Sequence, residues 1–188
     1  MTIVASPELV EWWTTPAGED LINAVSALSW TPADSLSSTA QLRRHYPDLT
    51  PEILNGTIDL VQARQRAVEK LGPASAHWFL TLAAVQQATP YAVTHYRSRR
   101  LLSSDSTIAQ PIHDATCSVG TEVAALVQAG STGELSGSDI DQARLAMARH
   151  NVPTFAVHEA DYLQPGWGSH VITLHDPPRR TSPGHSTS

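Results

Sequence analysis

Acidic side chains recur in the second half of the sequence where an apolar run gives way to a turn: Asp114, Asp139, Asp161 and Asp176. A carboxylate at the carboxyl end of a strand can accept hydrogen bonds from both hydroxyls of a ribose or from an exocyclic amine. Asp139 suits the ribose, and Asp141, two residues on, suits the cap of the helix that follows. Asp161 suits an amine such as that of adenine; a solvated loop acid is the plainer reading. Asp176 opens Asp176-Pro177-Pro178, and the two prolines force an extended, rigid backbone. That would hold a carboxylate and carbonyl oxygens ready to grip an amino group, or would simply end a strand.

The turn after Asp114 is built from small residues: Ala115, Thr116, Cys117, Ser118 and Gly120. Small residues let a ligand touch the backbone, and Gly120 would present its amide where a helix begins. An ordinary strand-to-helix turn is the competing reading. Asp139 lies 25 positions beyond Asp114 (139 − 114), which fits the roughly 30-residue strand–helix–strand unit of a nucleotide site. Cys117 has no base beside it and reads as a packed residue rather than a nucleophile. The nine histidines show no tight ligand spacing, so no metal site is expected.

The elements that would position these residues fall into two regions. Residues 1–105 read as helices punctuated by proline and glycine. Ser6-Pro7, Thr31-Pro32, Pro47, Thr50-Pro51 and Gly72-Pro73 mark starts and stops. The spacing predicts a helix over Glu19–Leu28 and another over Asp34–His45. The strongest helix runs from Thr50 to about Lys70, with Leu54, Ile58, Val61, Gln65 and Val68 on its inner stripe and Arg64 outside. A last helix is expected over Val85–Leu102, with Thr89-Pro90 in its first turn. Ser103–Thr107 reads as a polar linker.

Residues 106–180 then alternate: strands over Ile108–Asp114, Gly133–Asp139, Thr154–His158 and His170–His175, and helices over Thr121–Gln128 and Gln142–His150. That alternation implies right-handed crossovers and a parallel sheet. The expected fold is α/β, a helical N-terminal region followed by a partial Rossmann-like parallel sheet of about four strands. Residues 181–188 are polar and turn-rich, and read as a disordered tail.

Composition excludes some classes. The 188 residues carry a net charge of −6, which argues against holding duplex nucleic acid by bulk attraction. A single cysteine cannot form an internal disulfide, and a reducing cytoplasm is the expected compartment. No signal peptide is read at the N-terminus. The longest apolar stretch, Trp78–Val85, is far short of the about 20 residues of a membrane span. The cluster Arg97-Ser98-Arg99-Arg100, with Tyr91, His95 and Tyr96, could meet RNA phosphates and bases, or be a solvated helix face.

The ordered segments together resemble class I S-adenosylmethionine-dependent methyltransferases. Asp114–Gly120 is similar to their first motif in its cysteine-containing form, and Gly137–Asp141 with the helix to Asn151 is similar to their second. Glu159-Ala160-Asp161 and Asp176-Pro177-Pro178 resemble the third and fourth. The group most resembled is trimethylguanosine synthase-like, including bacterial homologues with a THUMP-like domain; Ala63–Gly72, Trp78–Thr81 and Gln87–Thr89 resemble the helical extension of those bacterial proteins. The resemblance implies S-adenosylmethionine as cofactor. Asp114, Cys117 and Gly120 would line its methionine side, Asp139 would hold the ribose, Ile140 would lie against the adenine, and Asp161 would meet the adenine amine. Asp176, Pro177 and Pro178 would face the acceptor nitrogen, and RNA is the acceptor suggested.

Two positions depart from the family: Ser118 stands where the loop usually has glycine, and Arg179 where eukaryotic relatives carry an aromatic residue. The resemblance also implies a larger sheet, so a domain shortened after its fourth strand is expected, with activity in question. A partner chain completing the sheet and a non-catalytic interaction module are the alternatives. A dinucleotide-dependent oxidoreductase would need the G-x-G-x-x-G loop, of which only Gly120 is present.

Overall fold

The computed structural model describes residues 5–161, 163 and 171–176. Helices fill the N-terminal part: α1 Pro7–Trp13, α2 Pro16–Ser26, α3 Ser35–His45, α4 Pro51–Leu71, a 3-10 turn Pro73–His77, α5 Leu82–Gln87, α6 Tyr91–Leu101 and α7 Asp105–Ile108. Local chemistry fixes their starts. Ser6, Thr15, Thr50 and Thr81 each accept a hydrogen bond from an amide of the first turn, and in α1, α2 and α4 a proline follows the cap. The long helix ends at Gly72, whose φ of 90° suits glycine.

Helix α4 is the hub, packing on α1, α2, α5 and the 3-10 turn. Its buried side chains include Leu54, Thr57, Leu60, Val61, Ala63 and Ala67. The expected stripe is therefore rotated: Val68 is 41% exposed and Gln65 faces outward. Burial by neighbours on more than one side, not a single face, sets which residues are inside. Arg64, expected on the surface, is half-buried and donates to the carbonyls of Trp78 and His77 at 2.8 and 3.0 Å.

The expected helix over Val85–Leu102 is two. Pro90 lacks an amide and biases Thr89 away from helical geometry, so α5 ends at Gln87 and α6 begins at Tyr91. The linker read over Ser103–Thr107 contains α7, where the Thr107 hydroxyl bonds the carbonyls of Leu101 and Ser104. The first strand accordingly starts at Ile112 rather than Ile108.

The second part is the expected parallel sheet. Strands β1 Ile112–Asp114, β2 Leu135–Asp139, β3 Ala156–Glu159 and β4 Ile172–Leu174 lie in the order β3-β2-β1-β4, all parallel. Helices α8 Thr121–Gln128 and α9 Gln142–Asn151 make the first two crossovers. The chain moves one way from β1 to β3 and then returns beside β1, so the strand order reverses between β1 and β4. In an open α/β sheet, ligands bind above the carboxyl ends at such a switch point. The apolar core runs without a break from Trp13, Leu54 and Phe79 to Leu145, Val152 and Phe155. The prolines Pro177 and Pro178 and the tail 181–188 lie outside the described residues.

Candidate functional site

The site is built on the turn that leaves β1. Asp114 ends that strand fully buried, and its Oδ1 accepts the Thr116 amide at 3.1 Å. The Ala115 amide donates to the Leu174 carbonyl at 3.0 Å, and the Cys117 amide to the Ser138 carbonyl at 2.9 Å. The turn is thus tied to β4 on one side and to β2 on the other. Cys117 packs inward, and burial pushes its thiol up, away from the thiolate that a nucleophile needs. Opposite stands Gly137, which opens the segment similar to the second motif but has no role of its own in the sequence reading. A Cβ there would lie 2.8 Å from the Cys117 Cβ and 2.5 Å from the Phe155 ring. A glycine inside a strand was the available signal for such a close approach.

Ser118 and Gly120 both have positive φ, 48° and 87°. Ser118 occupies the left-handed region that glycine prefers, which is where the resemblance marks a departure. Gly120 caps α8, and its amide donates to the Cys117 carbonyl at 2.8 Å.

At the end of β2, Asp139 accepts the Ser118 amide on Oδ2 at 3.1 Å and the Asp141 amide on Oδ1 at 2.9 Å. One carboxylate therefore fixes the β1 turn against the start of α9. Each oxygen keeps further acceptor capacity. Asp141 caps α9, accepting from the amides of Ala143 and Arg144, as its position suggests. Ile140 projects 69% exposed beside Asp139, offering an apolar face to a flat ring. Asp161 accepts the Leu163 amide at 3.0 Å in a local turn. Its neighbour Ala160 donates to the Asp139 carbonyl at 3.3 Å, which keeps this segment beside the end of β2.

After β4, the Asp176 amide donates to the Thr116 hydroxyl at 3.0 Å. Its carboxylate is held from the helical layer: Thr89 Oγ1 donates to Oδ2 at 3.0 Å, and Arg97 Nη1 lies 3.7 Å from the same oxygen. The same Nη1 donates to Glu122 Oε1 of α8 at 2.7 Å. Sequence reading missed Thr89 and Glu122 and placed Arg97 in a cluster that could meet RNA or be a solvated helix face. Their partners are far away in the chain, and nothing local marks them.

Burial, with Glu122, Asp139 and Asp176 adding to it, pushes the Asp114 carboxyl up to about 7 against the opposing Thr116 amide. Burial also raises Glu122, with Arg97 opposing. The rim is thus an acid-rich basin suited to a cation. A cleft of about 590 Å³ opens beside it, bordered by Asp114, Glu122, Asp176, Arg97 and Arg100.

The buried His113 ring bonds the Ser136 and Ser138 hydroxyls at 2.9 and 3.2 Å, and burial chiefly, with His158 and His175, pushes it down to about 4. Among the described residues no group of three or more His, Cys, Asp or Glu could hold a metal ion, and no helix is long and apolar enough to cross a membrane.

The chain is similar to two proteins named as uncharacterized S-adenosylmethionine-dependent methyltransferases, from two strains of Mycobacterium tuberculosis. Each is 37% identical over 150 residues, which cover 75% of this chain. The chain spans 38% of the length of those relatives. No protein-family model matches the chain, and no solved structure matches it.

Proposed function

We propose that this chain carries the cofactor-binding strands of a class I S-adenosylmethionine-dependent methyltransferase that acts on a nitrogen nucleophile. The likeness to the mycobacterial proteins and the all-parallel sheet support the family. The observation that carries the site is the convergence of Asp114, Asp139 and Asp176 on one turn at the switch point, linked through Thr116 and Ser118.

The residues present fit the cofactor. Asp139 takes the ribose hydroxyls with its remaining acceptor capacity, and Ile140 lies along the adenine. Asp161 meets the adenine amine. Asp114, which borders the cleft, faces the methionine end, and Cys117 and Gly120 shape the turn behind it from within. Bound S-adenosylmethionine supplies a methyl group on a cationic sulfonium. The protein's part is positioning and charge: the acid basin favours a cation, and Asp176 with Pro177 and Pro178 holds the acceptor nitrogen in line. We assign the chain to the trimethylguanosine synthase-like group, with RNA as acceptor and the cytoplasm as compartment. Exposed Arg99, Arg100 and Tyr96 on α6 support an RNA-facing surface.

Calorimetric titration with S-adenosylmethionine tests the cofactor assignment. Saturable binding is expected. Asp139→Ala should weaken it by at least about tenfold, the worth of a charge-assisted hydrogen bond. No heat from the folded wild type, or equal affinity in the variant, would sink it. Transfer of labelled methyl to RNA by the wild type tests the acceptor.

A further inference from the structure

We propose that Arg97 is a positioning residue of the methyl-transfer site, fixing the Asp176 carboxylate from the helical layer together with Thr89. This rests on the reading of Asp176 as the acceptor-side acid.

The geometry is specific. The Thr89 hydroxyl donates to Asp176 Oδ2 at 3.0 Å. Arg97 Nη1 touches Glu122 Oε1 at 2.7 Å and lies 3.7 Å from Asp176 Oδ2. From the other side, the Asp176 amide is anchored on Thr116 Oγ1 at 3.0 Å. Asp176 is therefore gripped through backbone by the cofactor turn and through its carboxylate by α6 and the α5–α6 connection. Both grips are needed to define the direction of its oxygens. An acid that must hold a nitrogen in line with a methyl group cannot be free to rotate.

Charge gives a second reason. The groups facing Asp176 are Asp114 from β1, Glu122 from α8, Arg97 from α6, and its neighbour His175; Arg100 borders the same cleft. Asp139 adds to the field at Asp114. Glu122 has a side chain only 14% exposed, so an unpaired charge there would be costly. Arg97 meets this need with one guanidinium that reaches two carboxylates. Both contacts come from one nitrogen, Nη1, whose direction the rigid guanidinium plane fixes; a lysine could replace the charge but carries it on a freely rotating stem.

The split between charge and geometry makes the test. In protein with labelled Asp and Glu carboxyl groups, NMR titration follows Glu122, and three-bond couplings report the Asp176 side-chain rotamer. In wild type a single rotamer is expected. Arg97→Gln should move the Glu122 midpoint upward and average the Asp176 couplings. Arg97→Lys should return the Glu122 midpoint toward wild type while leaving Asp176 averaged. Thr89→Val should average Asp176 without moving Glu122. Should Arg97→Gln fold poorly, Arg97→Lys keeps the test open. Unchanged Asp176 couplings in whichever Arg97 variants fold would overturn the proposal, and unchanged couplings in Thr89→Val would strike Thr89 from it. S-adenosylmethionine added to the wild-type sample distinguishes the two readings. If it shifts no signal at Asp114 or Asp139, the cofactor assignment fails while the rotamer comparison still stands.

Discussion

Asp114 is a carboxyl that burial holds far above the ordinary carboxylate range. It ionises at about 7 in the folded chain, against about 3.9 in an unfolded one. The folded state keeps a proton that the unfolded state releases earlier. Its contribution to stability is therefore full below the unfolded value and is lost as pH rises through the folded one. Asp114→Asn keeps the neutral shape at every pH. The thermal midpoint of the wild type should fall relative to this variant between about pH 4 and pH 7, and parallel curves would show that Asp114 is ionised throughout. The same proton reports on ligand. A cation seated against Asp114 lowers its pKa, so S-adenosylmethionine binding near neutral pH should release protons, read as a binding heat that varies with the buffer's ionisation heat. Asp114→Asn should abolish that variation. Ser118 offers a complementary test. Its φ of 48° costs a serine about 1 kcal/mol that glycine does not pay. The hydrogen bond from its backbone N–H to Asp139 does not use the side chain and survives substitution. Urea denaturation of Ser118→Gly should show a gain in stability of roughly that amount.

At the scale of elements, the two regions are joined by a few side chains. Asn151 at the end of α9 accepts the Phe79 amide at 2.7 Å and donates to the carbonyls of Phe79 and Val119, each at 3.0 Å. Phe79 lies flat against the His150 ring, centroids 3.6 Å apart, and Arg64 sits over the Phe79 ring with its Cζ 5.6 Å from the centroid. Asn151→Ala would leave three backbone groups unpaired, and urea denaturation should show a loss of roughly 2–4 kcal/mol. A loss below about 1 kcal/mol would mean that water replaces Asn151. This joint explains what the sequence could and could not show. The Ser/Thr-Pro starts, the Asp141 cap and the acids Asp114 and Asp139 at strand ends were legible because each obeys a rule spanning a few residues. The partners of Asn151 at position 79, of Asp176 at position 89 and of Glu122 at position 97 were not. They are set by how helices dock, and no local period encodes that. The rotated stripe on α4 has the same origin: a helix buried by several neighbours has no single inner line.

For the whole molecule, the helical layer and the sheet share one core. Trp13 stands 5.4 Å from Phe79, donates its indole N–H to Thr57 Oγ1 at 3.0 Å, and belongs to the same buried cluster as Met147 and Phe155. Helix α1 packs directly on α9. Neither part can open without exposing apolar surface of the other, so unfolding should be a single cooperative event. The chain carries its own probes for each side. Four of the five tryptophans, Trp12, Trp13, Trp30 and Trp78, lie in the helical part, Trp167→Phe removes the fifth from the signal, and the lone thiol, Cys117, is buried in the turn after β1. Tryptophan emission and thiol labelling should follow one urea curve. A thiol that reacts before the emission changes would mean that the turn opens as a separate unit. Ligand sharpens the comparison. S-adenosylmethionine at 100 times its dissociation constant adds about 2.7 kcal/mol to whatever unit binds it. If the core is shared, that increment should move the tryptophan curve and the thiol curve together, although the four remaining tryptophans lie in the helical part and not in the turn that would hold the ligand.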